Sequence, residues 1–346
     1  IRRPPRSTLF PYTTLFRSVH NYYKGYKGYS TIREAITNSM NVVAAKTIAD
    51  VTPKTSFEYL INLGFSTLVS NETTSSGNVY TDITQSLSLG GLTYGVTNME
   101  LTSAYASIAN GGTYQKPVLY TKVVDQNGNI LLSNAQKGKR VMKESTAFLL
   151  TDAMKDVITK GTGKSAKLSS SMAVAGKSGT TSNSYDYWFS GYTPYHTASI
   201  WMGYDKNTNF ASDNTHKKIW AKVMNEIIKT KQEQTTDFKK PADIVKAKVC
   251  KESGKLAIKG VCDHDPRGSR VITEYFEKGT VPTQTCDIHV AVEVCKTSDK
   301  LATKNCPASQ KQRKIYIVRK KSTHGKTADT PYLLPKKYQS VFCNKH

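Results

Sequence analysis

The chain has no uninterrupted apolar run approaching the roughly 18 residues that a bilayer crossing requires. It also lacks a leader with a basic start, an apolar middle and small residues at a cleavage site. Any anchor or export signal is therefore expected outside these 346 residues. Cysteine is missing ahead of Cys250, and no two cysteines form a C-x-x-C pair. That absence argues against a zinc ribbon or a thioredoxin-like redox motif, so no metal site and no cofactor are expected. Acidic residues are scarce, 26 against 49 Lys and Arg, leaving a formal charge of +23. A surplus of this size can neutralise phosphates, yet no helix-turn-helix, RNP or zinc-finger pattern accompanies it. Nucleic acid is therefore not the expected partner. Finally, no serine is followed three positions on by a lysine.

What the chain does contain supports a folded protein. A 38% hydrophobic and 10% aromatic content suffices for a core, and the length suits one large domain plus a smaller one. From residue 236 onward 23 Lys or Arg face 11 Asp or Glu, so about half the surplus sits in the tail. Apart from short clusters such as Arg319, Lys320 and Lys321 these residues are scattered. They fit a soluble surface facing an anionic environment such as a bacterial envelope, with anionic wall polymers as partners.

The first eighteen residues differ from the rest. Thr8-Leu9-Phe10-Pro11-Tyr12-Thr13-Thr14-Leu15-Phe16-Arg17-Ser18 resembles the conceptual translation of a common sequencing adapter. Residues 1–18 are therefore set aside as an assembly artefact, in preference to a natural basic arm. On this reading the gene continued upstream of Val19.

From Val19 the periodicities are clear. Thr31 and Glu34 form a capping box ahead of Ile32, Ala35 and Ile36, and a second helix is expected over Val42–Ala49. Phe57, Leu60 and Ile61 mark a third, ended by Gly64. Residues 66–84, rich in Ser, Thr and Asn, read as a surface connection. Thr97 and Glu100 cap a helix running through Tyr105 and Ile108 to Gly111-Gly112. Val118–Val124, Asn127-Gly128 and Ile130–Leu132 predict a hairpin. A helix over Lys143–Thr159 should bury Phe148, Leu149, Ala153 and Val157. Three strands follow at Ala173–Thr181, Tyr187–Tyr192 and Thr197–Tyr204. A closing helix carries Ile219, Trp220, Val223, Met224, Ile227 and Ile228.

The polar run Lys231–Pro241 marks a boundary, dividing a domain over 19–232 from a basic extension over 233–346. The extension holds all six cysteines and a repeat. Cys250-Lys251-Glu252-Ser253-Gly254-Lys255-Leu256-Ala257 recurs as Cys295-Lys296-Thr297-Ser298-Asp299-Lys300-Leu301-Ala302, and each copy ends in a further cysteine, Cys262 and Cys306. Two such loops read as twin stapled hairpins, with Cys250 bonded to Cys262 and Cys295 to Cys306. An even number of cysteines suits an oxidising, extracellular setting, reduced thiols being the alternative. His264 and His289, though close to cysteines, read as loop histidines rather than metal ligands.

Two short motifs carry chemistry: Ser39-Met40-Asn41 at a helix junction, and Lys177-Ser178-Gly179-Thr180, extended by Thr181, on a strand. Alone each is weak. Their surroundings sharpen them: Tyr187-Trp188-Phe189-Ser190-Gly191-Tyr192-Thr193-Pro194, Trp201-Met202-Gly203-Tyr204-Asp205, Gly95-Val96-Thr97 through Gly112, and Lys160-Gly161-Thr162-Gly163. In this order and spacing the chain resembles the penicillin-binding proteins, in particular the bifunctional class A group, over most of residues 19–210. The tail is similar to C-terminal extensions of some Gram-positive members, through Cys250–Leu256 and through Glu274–Thr280 and Cys286–His289.

The resemblance implies an α/β (α+β) fold, an antiparallel sheet flanked by helices as in serine β-lactamases and DD-transpeptidases. It implies a serine transpeptidase that cross-links peptidoglycan stem peptides ending in D-Ala-D-Ala through an acyl-serine, and that β-lactams acylate. Such chemistry needs an activated hydroxyl, a proton relay, a cation for the substrate carboxylate and N–H donors for the oxyanion. By resemblance Ser39 passes a proton towards the leaving group, Asn41 holds the substrate backbone and Lys177 supplies positive charge. Ser178, where threonine is more usual, and Thr180 bind the carboxylate, the Thr180 N–H completes the oxyanion hole beside Gly179, and Thr181 has no definite role.

The family's nucleophile comes from an S-x-x-K motif, which precedes S-x-N and is missing here. The fragment is therefore expected to be inactive, its parent carrying that motif together with a glycosyltransferase domain and a membrane anchor on the extracellular side. Class B transpeptidases and β-lactamases share the motifs; the Gly-Thr-Gly stretch and the cysteine tail favour class A. A non-catalytic envelope-binding module and a nucleic-acid binder are the remaining alternatives. Upstream sequence and salt-dependent binding respectively discriminate them.

Overall fold

The computed structural model describes residues 19–25, 27–135, 137–319 and 329–346. The adapter-like segment 1–18, and Lys320 and Lys321 of the basic cluster, lie outside these. The chain divides into two compact units, Ile1–Lys24 with Ile32–Pro241, and Gly25–Thr31 with Ala242–His346. The first thus ends a little beyond residue 232, where the sequence reading placed its limit.

The first unit opens with three short helices, α1 (Ile32–Thr37), α2 (Asn41–Val51) and α3 (Pro53–Asn62). Proline at the first position of α3 sacrifices no hydrogen bond, and the Thr52 hydroxyl accepts from the Thr55 N–H at 3.2 Å. Gly64 terminates α3 with φ +91°, where the Tyr114 hydroxyl occupies the space of a side chain. Ala35 is buried on α1 but Ile32 is exposed, so the helix presents a narrower apolar face than its sequence suggests.

Residues 66–84 are more than a surface connection. They contain the short strands β1 (Glu72–Thr73) and β2 (Val79–Tyr80), and the carboxylate of Asp82 is buried beneath them. It accepts from the Val69 N–H at 2.8 Å and from the Thr93 N–H and hydroxyl, both at 2.7 Å. The Asp82 carboxylate thus satisfies backbone N–H groups that lie beyond the short β1–β2 ladder.

Helix α4 (Asn98–Ala109) starts at the expected capping box, with Thr97 and Glu100 satisfying each other's backbone N–H groups. The strands β3 (Thr113–Tyr114), β4 (Lys122–Val124), β5 (Ile130–Ser133) and β6 (Lys139–Arg140) form two ladders, β3 with β6 and β4 with β5. The β4–β5 hairpin turns at Asn127-Gly128, but both of its strands are exposed. Helix α5 (Glu144–Thr159) buries Ser145, Ala147, Thr151, Ala153, Met154, Val157 and Ile158. Phe148 and Leu149, expected inside, are only half-buried, because the buried stripe is centred on the Ala147–Met154 side.

The strands β7 (Ala175–Thr180), β8 (Asp186–Tyr192) and β9 (Thr197–Gly203) form an antiparallel sheet in that order, and α6 (Thr215–Lys231) closes the unit. Strand alternation sends side chains to two cores. Phe189 and Val174 join Trp220 and Met224 of α6, while Ala175 and Tyr192 join Met154 of α5 and Tyr105 of α4. The sheet is thus sandwiched between helices. Ile219 and Val223 of α6 are exposed, and His216 and Lys217 are buried beside Trp220.

The second unit repeats a hairpin. Strand β10 (Ile244–Cys250) pairs with β11 (Val271–Glu277), placing Cys250 opposite Val271. Strand β12 (His289–Cys295) pairs with β13 (Lys300–Leu301) and with β14 (Lys311–Ile317), placing Cys295 opposite Lys311. A short helix, α7 (Lys337–Ser340), precedes the C-terminus.

Candidate active site

Ser39 sits in the turn between α1 and α2 with φ +51°, a left-handed conformation that few serines adopt. Two neighbours hold it there: the Met40 N–H donates to the Ala35 carbonyl at 2.9 Å, and the Met40 side chain is buried. Helix α1 is itself fastened to α5 by Arg33, whose guanidinium meets Asp152 at 2.5 Å and Asp156 at 3.3 Å.

Alternation on β7 sends Lys177 and Gly179 towards the α1 and α5 side, and Ser178 towards α6. The Lys177 ammonium donates to the Ser39 hydroxyl at 2.7 Å, joining residues 138 positions apart. It also donates to the Ser178 carbonyl at 2.9 Å. On the other face the Ser178 hydroxyl lies 3.0 Å from that of Thr162. Lys217 donates to the Thr162 carbonyl and to Asn214 Oδ1, both at 2.8 Å.

Burial pushes the Lys177 pKa down to about 8, aided by the Lys217 charge, and burial also lowers that of Lys217. Next to them His216 is pushed down to about 4, first by burial and then by Lys217, and is neutral at pH 7. Among the described residues neither lysine has a salt-bridge partner. Two poorly solvated cations without a counter-charge make a site for an anion.

Thr162 owes its place to Gly161. A Cβ on Gly161 would lie 2.3 Å from the Thr37 carbonyl oxygen and 2.8 Å from the Val157 Cα, both backbone atoms. Only glycine lets this loop lie against the end of α1, where the Thr162 N–H donates to Thr37 at 3.2 Å. Gly161→Ala is therefore expected to destabilise the first unit by about 1–3 kcal/mol. Urea denaturation would check it; an unchanged midpoint would show that the loop moves aside freely.

The remaining sequence-predicted residues are less closely joined. Asn41, the first residue of α2, donates from its amide to the His20 carbonyl at 3.0 Å. Thr180 ends β7 exposed. The Thr181 hydroxyl donates to Asp186 Oδ2 and accepts the Asp186 N–H, both at 2.9 Å, closing the turn into β8. Sequence reading missed Lys217 and gave no role to Thr162. The available signal was a lysine on the stripe of Trp220, Ala221 and Met224, the face that α6 buries.

All six described cysteines are free thiols. The expected pairs, Cys250 with Cys262 and Cys295 with Cys306, each lie inside a larger group: Cys250, Cys262, Cys286 and His289, and Cys295, Cys306, Cys343 and His346. Read as a loop residue, His289 is instead the buried first residue of β12. The sequence reading expected no metal ligands here, yet both groups have a ligating composition.

Comparison with known proteins gives the family. Residues 9–229 match the penicillin binding protein transpeptidase domain, and residues 240–291 the C-terminal domain of penicillin-binding protein 1A. The first match begins inside the adapter-like segment. A curated penicillin-binding protein 1A from Clostridium botulinum (strain Langeland) is 35% identical over 316 residues, 90% of this chain and 36% of that protein. The chain thus spans about a third of such relatives. Penicillin-binding protein 1A from Haemophilus influenzae superposes with a TM-score of 0.59 at 22% identity, covering 74% of this chain and 41% of that one. PonA1 from Mycobacterium tuberculosis, solved in complex with penicillin V, gives 0.52 at 23% identity, covering 61% and 59%. The chain belongs to the penicillin-binding protein transpeptidase family, as a C-terminal transpeptidase portion of the class A group. Its fold is the mixed helix-and-sheet fold of these transpeptidase domains.

Proposed function

We propose that this chain supplies most of the cleft of a serine D-Ala-D-Ala transpeptidase, which cross-links peptidoglycan stem peptides through an acyl-serine and is acylated by β-lactams. The observation that carries the reading is the 2.7 Å contact between Lys177 and Ser39, beside a second cation, Lys217, that has no salt-bridge partner among the described residues. A substrate or β-lactam carboxylate supplies the missing anion, received by the Ser178 and Thr180 hydroxyls and the field of Lys177 and Lys217. Ser39, its hydroxyl already accepting from Lys177, carries a proton towards the leaving group, and the Asn41 amide exchanges the His20 carbonyl for the substrate backbone. Gly179 leaves room for a substrate strand along β7, which is an edge strand among the described residues, and the Thr180 N–H stabilises the oxyanion.

No serine in the sequence has a lysine three positions on, so the nucleophile must come from an S-x-x-K segment beyond this sequence. We place that segment upstream, in a longer protein with a glycosyltransferase region and an anchor, working at the extracellular face of the bacterial membrane. No described helix is long and apolar enough to cross a membrane. The basic surface then faces anionic wall polymers. The chain expressed alone is expected to remain unlabelled by a fluorescent penicillin on a denaturing gel. A labelled band would show that another serine here is the nucleophile, and would sink this division of roles.

A further inference from the structure

We propose that the C-terminal unit holds two structural zinc ions, each in a tetrahedral Cys3His site: Cys250, Cys262, Cys286 and His289 in one, Cys295, Cys306, Cys343 and His346 in the other. Within each group the ligand atoms lie within 4.8 Å of one another, and six of the eight residues are buried cysteines. His289 Nδ1 is 3.3 Å from Cys250 Sγ and 3.4 Å from Cys286 Sγ. His346 Nδ1 is 3.5 Å from both Cys295 Sγ and Cys343 Sγ. A zinc tetrahedron with ordinary bond lengths has edges of about 3.6 Å between nitrogen and sulfur and about 3.8 Å between sulfurs.

The two groups are built the same way. In chain order each runs Cys, Cys, Cys-x-x-His, with the first cysteine ending the leading strand of a hairpin. Six residues on, Leu256 and Leu301 accept the N–H of the third cysteine, Cys286 at 2.8 Å and Cys343 at 2.7 Å. Eight residues on, the N–H of Ile258 and of Thr303 donates to the second cysteine's sulfur, both at 3.3 Å. Such N–H donors stabilise thiolate ligands, since they offset charge that a buried sulfur cannot pass to water.

His289 Nε2 lies 2.7 Å from Asp265, whose carboxylate is buried and held by Arg267 at 2.7 Å. A carboxylate on the far nitrogen leaves Nδ1 as the lone-pair donor facing the sulfurs, the arrangement that orients metal-bound histidines. Disulfides account for the groups less well. Three thiols per group leave one unpaired after any internal bond, and neither the histidines nor the N–H donors would then have a purpose. A unit with six buried cysteines in its core also gains from a metal staple.

Metal analysis of the whole chain, purified with a reductant, is expected to find two zinc ions per chain. Cys286→Ser and Cys343→Ser should each leave one, and the double variant none. A readout independent of how these variants fold is cobalt(II) titration of the chelator-stripped parent chain. Thiolate-to-cobalt charge transfer with tetrahedral ligand-field bands should saturate at two equivalents. Saturation below two, or mass loss from Cys250–Cys262 and Cys295–Cys306 disulfides in the reductant-free chain with no bound metal, would overturn the proposal.

Discussion

Lys177→Ala is expected to slow acylation by a β-lactam by a factor on the order of 10²–10³, the usual effect of removing one preorganised electrostatic stabiliser. The measurement needs a nucleophile, so the substitution belongs in a chain extended upstream by a Ser-x-x-Lys segment. The second-order acylation rate is then followed with a chromogenic cephalosporin. The expected size follows from where the ammonium sits. It is poorly hydrated, bonded to Ser39 and close to Lys217, so a substrate carboxylate meets a charge that water does not screen. An unchanged rate would remove Lys177 from the site.

The same group gives a pH signature. With its pKa lowered to about 8, Lys177 loses its charge as pH rises through that value, and acylation should fall along a limb centred there. Lys217→Met removes the neighbouring cation, and the limb should move to higher pH, only partly because burial is the larger cause. For stability the sign is opposite to that of a paired lysine. Between about 8 and the ordinary 10.5 the unfolded chain binds more protons than the folded one, so this group's contribution to stability rises with pH across that window. Below about 8 both states are protonated and the contribution is flat.

Asp82→Ala is expected to destabilise the first unit by about 3–5 kcal/mol, the largest stability effect of a single substitution proposed for this chain. Its carboxylate is 2% exposed and receives three hydrogen bonds, from the Val69 N–H, the Thr93 N–H and the Thr93 hydroxyl. Truncation leaves two backbone donors, the Val69 and Thr93 N–H groups, without this acceptor. Calorimetry should show a fall in the unfolding midpoint of roughly 10 °C. Thr93→Ala, which removes one donor and leaves the anion in place, should cost about 1 kcal/mol. Equal effects of the two substitutions would show that the hydroxyl, and not the anion, organises the loop.

These features were not equally legible. The capping box of Thr97 and Glu100, the three strands of the central sheet and the motifs around Ser39 and Lys177 are local signals. Each rests on neighbours a few residues apart, which periodicity and cap chemistry record directly. The role of Asp82 is not local in this sense: an Asp in a Ser- and Thr-rich stretch resembles any loop residue until the chain folds over it. Phe148, Leu149, Ile219 and Val223 were misplaced for a related reason. Periodicity finds the apolar stripe of a helix, but the neighbouring layers decide which edge of that stripe is covered.

Taken alone, the sequence determined that this chain carries the S-x-N and K-S-G-T elements, a helix-flanked antiparallel sheet and a twice-repeated cysteine module, because these are set by residue type and short spacing. Tertiary structure alone decided which distant groups share a site. Strand alternation separates Lys177 from Ser178, sending one to Ser39 and the other to Thr162, whose carbonyl accepts from Lys217. In the tail, ladder register and one strand beginning at His289 and ending at Cys295 gather cysteines and histidines from far apart into two groups of four. Closing such loops depends on the fold as a whole, and no short window of sequence contains it.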